Sequence, residues 1–267
     1  MNNIFDFKRF SLLLRRQWIS FGKIYLISLA VVVGVVISFY GFYISEEIKE
    51  GGQNWRDTLT FRPVLFVCVG LLFLTMMSSS YFSDLGQKSK AIIELLIPAS
   101  RMEKYLSSIV YTVVLTIGSY MLVFSLIDMA FLAYIRSFAT ATTSYVNPEG
   151  TPVMIDHLGY FFSGHWPRQA YYMLFVPFLL NSAFLLGSIY FLNAHYIKTA
   201  ISLLVYVGCW IGIMSLAMHQ TSRETIWIGG GFWRDEINVL KFFCAAGVLL
   251  SIAFWFLSYL RLKEKEV

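Results

Sequence analysis

The side chains able to do chemistry are few in this chain, and they do not converge. Four histidines, His157, His165, His195 and His219, are scattered over three regions. None stands at the His-Glu-x-x-His spacing that puts two metal ligands and a base on one helical face. Cys68, Cys209 and Cys244 fall singly inside apolar stretches. They read as small buried hydrophobes rather than metal ligands or a disulfide framework. Ser188 follows Gly187, but no glycine stands two positions beyond the serine, so this step reads as close helix packing and not as a nucleophile. A Gly-x-x-x-x-Gly-Lys-Ser/Thr phosphate loop is also absent, so the chain does not bind ATP by that device. The expectation is a protein that is no enzyme and holds no cofactor or metal of its own.

Two places keep chemical interest. Asp128 is an acid inside an apolar stretch, and an ionisable group at membrane depth is a functional hypothesis by default. It is expected near the outer interface, solvated or paired with Arg136 about two helical turns on. An ion-coupled carrier ordinarily needs more, such as several buried acids or interrupted helices. Here Asn181, Asn193 and Pro177 are what the fourth apolar stretch adds. The second place is the 84–104 segment. Residues 89–97 can form a short helix with Ala91, Ile92, Leu95 and Leu96 apolar and Lys88, Lys90 and Glu94 polar. Pro98 stops it. Ser100-Arg101-Met102-Glu103 then has capping-box spacing and launches the next helix. The result is a helix–break–helix elbow.

These residues must be positioned by membrane helices. Six runs of 19 or more residues contain no Asp, Glu, Lys or Arg. A hydrocarbon core of about 30 Å takes about 20 helical residues, and inside lipid every backbone polar group must be satisfied within the chain. The fold expected is therefore all-α and polytopic, a single membrane domain with spans at about 24–45, 63–83, 105–134, 169–194, 199–220 and 242–260. The composition agrees: 57% of residues are hydrophobic, and 14% are charged against about 25% in a soluble domain. The net charge of +5 resides at span ends and not in a continuous patch, which argues for lipid headgroups and against nucleic acid.

With both termini inside, thirteen Lys/Arg fall on cytoplasmic segments and eight on outer loops, which is the favoured orientation. Residues 3–23 read as an amphipathic helix in the inner interface. Phe7, Phe10, Leu14, Trp18 and Phe21 lie on one face, opposite Arg9, Arg16, Ser20 and Lys23. The outer loop at 136–168 has the turn signal Asn147-Pro148-Glu149-Gly150 and ends in aromatics, so it reads as an irregular lobe, either a cap or a passive linker. Gly208 and Gly212 form a small-xxx-small pair suited to helix packing, within or between subunits.

Taken together, the chain resembles the membrane (permease) subunits of type-2 ATP-binding cassette exporters. The resemblance rests on six spans, inner termini, a leading interfacial helix and the stretch after the second span. Phe82-Ser83-Asp84-Leu85, followed by Leu95-Leu96-Ile97-Pro98-Ala99-Ser100-Arg101-Met102-Glu103-Lys104, is similar to that family's leucine–proline–small–Ser–Arg–x–Glu segment. Ile97 is the departure from the pattern. The resemblance implies an inner coupling loop at 84–104 that docks on a separate ATPase subunit, which holds the ATP and Mg. Leu85, Ile92, Glu94, Leu95, Pro98, Arg101 and Glu103 would form the docking face. It also implies a homo- or heterodimer of permease subunits in the plasma (inner) membrane, forming the translocation pathway. The rival readings are an ion- or proton-coupled carrier using Asp128 and a non-transporting membrane scaffold.

Overall fold

The computed structural model describes residues 5–49, 55–83, 96–137, 142–146, 152–156, 158–163, 166–191, 193–221 and 236–265. Within them six helices are long and apolar enough to cross a membrane: Phe7–Lys49, Phe61–Tyr81, Arg101–Arg136, Arg168–Tyr190, His195–Ile213 and Ile237–Glu264. The chain is a multi-pass helical membrane protein. Its surface is arranged for lipid. Large apolar side chains such as Val31, Val64, Leu122, Leu204 and Leu249 point outward, while Ser78, Ser107, Thr112, Asn181 and Ser188 are buried. A soluble protein would reverse this. Several of the buried hydroxyls bond within their own helices: Ser78 donates to the Leu74 carbonyl, Thr112 to Ser108 and Ser251 to Gly247, whereas the Ser79 hydroxyl has no such partner.

Helix α1 (Phe7–Lys49) is a single helix of 43 residues. The interfacial helix expected over 3–23 is therefore continuous with the first span. No proline falls in this stretch, and its separated glycines, Gly22, Gly34 and Gly41, each cost only about 1 kcal/mol. At about 1.5 Å per residue the helix is about 65 Å long, twice the hydrocarbon thickness. Phe10 and Leu13 are buried on its leading segment, whereas Phe7 and Trp18 of the expected apolar face are exposed. Farther along, Val32, Val36, Tyr40 and Ile44 form a buried stripe at steps of four.

A short helix α2 (Trp55–Thr58) precedes α3 (Phe61–Tyr81), the second span. Pro63 sits in the first turn of α3, where no backbone donor is needed. The third span comprises α4 (Arg101–Ile109), a π-helical turn (Val110–Leu115) and α5 (Thr116–Arg136). The loop after it contains an element that the sequence did not suggest, an antiparallel hairpin of β1 (Thr142–Val146) and β2 (Pro152–Asp156), with Thr142 opposite Asp156 and Val146 opposite Pro152.

The fourth span is broken into α6 (Arg168–Tyr172) and α7 (Phe175–Tyr190). Pro177 explains the break. Its ring clashes with a helical carbonyl four residues back, at Met173, and that carbonyl instead accepts from the Val176 N–H at 3.0 Å. Helix α7 ends at Tyr190 and α8 (His195–Thr221) begins at His195, so both bounds come about four residues before the expected 194 and 199. Ala194, directly before α8, holds a positive φ of 53°, in the left-handed region. The last helix, α9 (Glu236–Lys265), begins before the expected residue 242 and ends after residue 260.

The chain divides into two compact units. The first contains Met1–Trp18, Leu74–Val113 and Pro167–Val267, and the second contains Ile19–Phe73 and Val114–Trp166. The division falls inside α1, α3 and the π-helical turn.

Candidate functional site

The expected docking elbow has its described part at residues 96–104, in the first unit. Leu85, Ile92, Glu94 and Leu95 lie outside the described residues. Leu96 and Pro98 are exposed, and the Ala99 N–H closes a tight turn on the Ile97 carbonyl at 2.8 Å. Ser100 then caps α4 in the way its spacing predicts. The Glu103 N–H donates to Ser100 Oγ at 3.2 Å, and the Ser100 N–H donates to Glu103 Oε2 at 2.8 Å.

Glu103 does more than cap its helix. Its other oxygen, Oε1, accepts from the Asp6 N–H at 2.9 Å and from Arg9 Nη2 at 3.0 Å. Asp6 in turn caps α1, its carboxylate accepting from the Lys8 N–H at 2.9 Å. The start of α1 and the start of α4 are thus joined through one carboxylate. The junction continues along the helices. Tyr111 Oη donates to the Leu14 carbonyl at 2.6 Å, and its ring stacks with Trp18 and Tyr81. Glu103 is 0% exposed, so its expected place on the docking face is corrected. Arg101, two residues before it, is partly exposed.

A second polar node of this unit centres on Asn181 of α7. Its amide nitrogen donates to Ser78 Oγ at 2.6 Å and to the Thr112 carbonyl at 3.1 Å, while its oxygen accepts from Trp255 Nε1 at 3.3 Å. Spans two, three, four and six meet in this one side chain. The Thr112 carbonyl belongs to the π-helical turn, where the wider ring departs from the regular α ladder. In the same unit, Phe82, Leu185, Ile189 and Leu262 form an apolar cluster against which Trp255 packs. Gly187 packs so closely on Thr199 that a Cβ would overlap the hydroxyl, and Gly247 packs likewise on Phe175. Gly187–Ser188 is thus a packing step, as its sequence suggested. Gly208 and Gly212, by contrast, have nothing within 4 Å of a built Cβ among the described residues.

Asp128 lies in the second unit, on the stripe of Tyr120, Phe124 and Leu132 that α5 buries. The expected pairing with Arg136 is replaced by other partners. Asp128 Oδ1 accepts from Tyr40 Oη at 2.8 Å and from Arg62 Nη1 at 3.2 Å, and Oδ2 accepts from the Phe161 N–H at 2.9 Å. Arg136, eight residues on, turns away to the Leu158 carbonyl at 2.9 Å and lies over the Tyr160 ring. The carboxylate is 2% exposed and the arginine 12%. Phe161, whose N–H meets Asp128, belongs to an aromatic nest with Phe66, Phe124, Phe162 and Trp166, with ring centroids as close as 5.0 Å.

The Arg62 and Tyr40 partnerships were missed because they link positions 66 and 88 residues from Asp128. The available signal was weak: a buried acid needs a cation, and Arg62 stands at a span end at matching depth. Among the described residues no three His, Cys, Asp or Glu side chains gather as a metal site. The class defined by fold and site is a multi-pass helical membrane protein, with three buried polar nodes among the described residues. The chain matches no family model, no curated protein and no solved structure.

Proposed function

We propose that this chain is the membrane subunit of an ATP-driven exporter and is moved by a separate ATP-binding cassette subunit docked on the 84–104 loop. The observation that carries the reading is the Glu103 junction. The loop leads directly into a helix start that is capped, buried and bonded to the start of α1. A load applied to the loop would reach two long helices together rather than relax in a slack linker. Leu85, Ile92 and Leu95 would supply apolar burial on the motor, Glu94 and Arg101 would fix the register, and Pro98 would end the docking helix. ATP and Mg belong to the motor subunit. Two permease copies, or this chain and a related one, would enclose the pathway, with termini in the cytoplasm and the spans in the plasma membrane.

Asp128 supports this reading over an ion-coupled carrier. Both of its oxygens are committed to three protein donors, one of them a guanidinium, which leaves little for a travelling cation.

The test is gentle detergent purification from the native cells with identification of the subunits that come along. A stoichiometric phosphate-loop ATPase, lost on combining Leu95→Asp with Arg101→Glu, is the expected result. Isolation of the chain without such a subunit, under conditions that keep other membrane complexes intact, overturns the proposal in favour of a carrier or a scaffold. With the ATPase present, Glu94→Lys with Arg101→Glu should abolish coupled transport while leaving membrane insertion intact.

A further inference from the structure

Residues 158–163 are fastened to the helices of the second unit at nearly every position. The Leu158 carbonyl accepts from Arg136 Nη2 at 2.9 Å, and the Gly159 carbonyl accepts from Arg62 Nη1 at 3.1 Å. Arg136 covers the Tyr160 ring, with its guanidinium 5.0 Å from the centroid. The Phe161 N–H reaches Asp128 at 2.9 Å, and its ring lies 5.1 Å from Phe66 and 5.0 Å from Phe124. The Phe162 ring lies 5.6 Å from that of Phe66. Such a density of bonds is not what a passive linker needs.

From this we infer that residues 158–163 are a strap that locks the second-unit parts of α1, α3 and α5 together, with Asp128 as its bolt. Each helix supplies one part of the lock: Tyr40 from α1, Arg62 from α3, Asp128 from α5. The strap supplies the Phe161 N–H, which completes the carboxylate, and the Gly159 carbonyl, which takes the same arginine nitrogen. The parts depend on one another. If the strap lifts, Asp128 Oδ2 loses its donor, and if Asp128 is neutralised, Arg62 is left as an uncompensated buried cation. Lifting the strap thus takes one partner from Asp128 and one from Arg62. Within the second unit, the three helix segments then move together. On this reading Asp128 is a lock and not a transport site.

Hydrogen exchange of the full chain in lipid nanodiscs, read on peptides covering 158–163 and 175–190, tests the lock. In the unchanged protein the strap should exchange slowly at Phe161. Asp128→Asn should speed the strap at least tenfold while leaving 175–190 unchanged. Asp128→Asn combined with Arg62→Gln removes both charges and should exchange more slowly than Asp128→Asn alone. Should Asp128→Asn also release 175–190, the variant has unfolded. Tyr40→Phe then decides, since it deletes one donor and keeps the ring. About threefold acceleration confined to the strap supports the lock. A strap that exchanges equally fast in the unchanged protein and in the folded variants overturns it.

Discussion

Glu103 and Asp128 meet the same physical demand in different ways. Each is a buried carboxylate that collects an arginine and at least one backbone N–H. Glu103 stands at a helix start, and two of its interactions are with a residue three positions away. Its arginine, Arg9, is 34% exposed, so water screens that pair. Asp128 stands near the far end of a span, all its partners are distant in sequence, and its arginine is only 12% exposed. A helix-terminal acid can lean on its own backbone, whereas an acid deep in an apolar stripe must be completed by the rest of the fold. The first arrangement suits a junction that transmits load, the second a lock.

Removing a partner should therefore cost more at Asp128 than at Glu103, and unfolding in a fixed detergent provides the measure. Arg62→Ala leaves a carboxylate uncompensated at low dielectric and should lose about 3–5 kcal/mol. If it proves as mild as a surface pair, the contrast between the two acids collapses. Glu103→Gln keeps the shape and one acceptor but removes the charge shared by Arg9 and two backbone donors, at about 2–3 kcal/mol. Asn181→Leu should cost about 2 kcal/mol by deleting three side-chain hydrogen bonds, and cross-linking should report looser packing of spans two, three, four and six. Arg9→Gln is expected to be the mildest, at about 0.5–1 kcal/mol and fading with added salt, because its pair is partly solvated. A salt-independent loss there would mean that the junction is as enclosed as the lock.

The parts of this molecule that were legible beforehand are those set by local rules. Six membrane-length helices follow from long uncharged runs, because a lipid solvent leaves the backbone little choice. The Ser100 cap with Glu103 was legible because its geometry depends on an interval of three residues. The Gly187 packing step was legible as well, since a missing side chain is useful chiefly where helices approach. Less was legible where two local rules competed. The leading segment has the amphipathic spacing of an interfacial helix, but nothing between residues 7 and 49 stops helix propagation, so it joins the first span. Pro177 signalled a kink, and the structure turned it into a break between two helices.

Sequence alone determined that this protein lives in a membrane, roughly where its spans run, and which helix start is capped. Those properties depend on residues within a turn or two of one another and on the solvent. Tertiary structure alone decided that Asp128 pairs with Arg62 and not with Arg136, that Glu103 is shared between α1 and α4, and that residues 158–163 contribute Phe161 and Phe162 to an aromatic nest. The reason is that a buried charge accepts any donor the fold delivers, and the chain brings donors from 66, 88 or 97 residues away as readily as from eight.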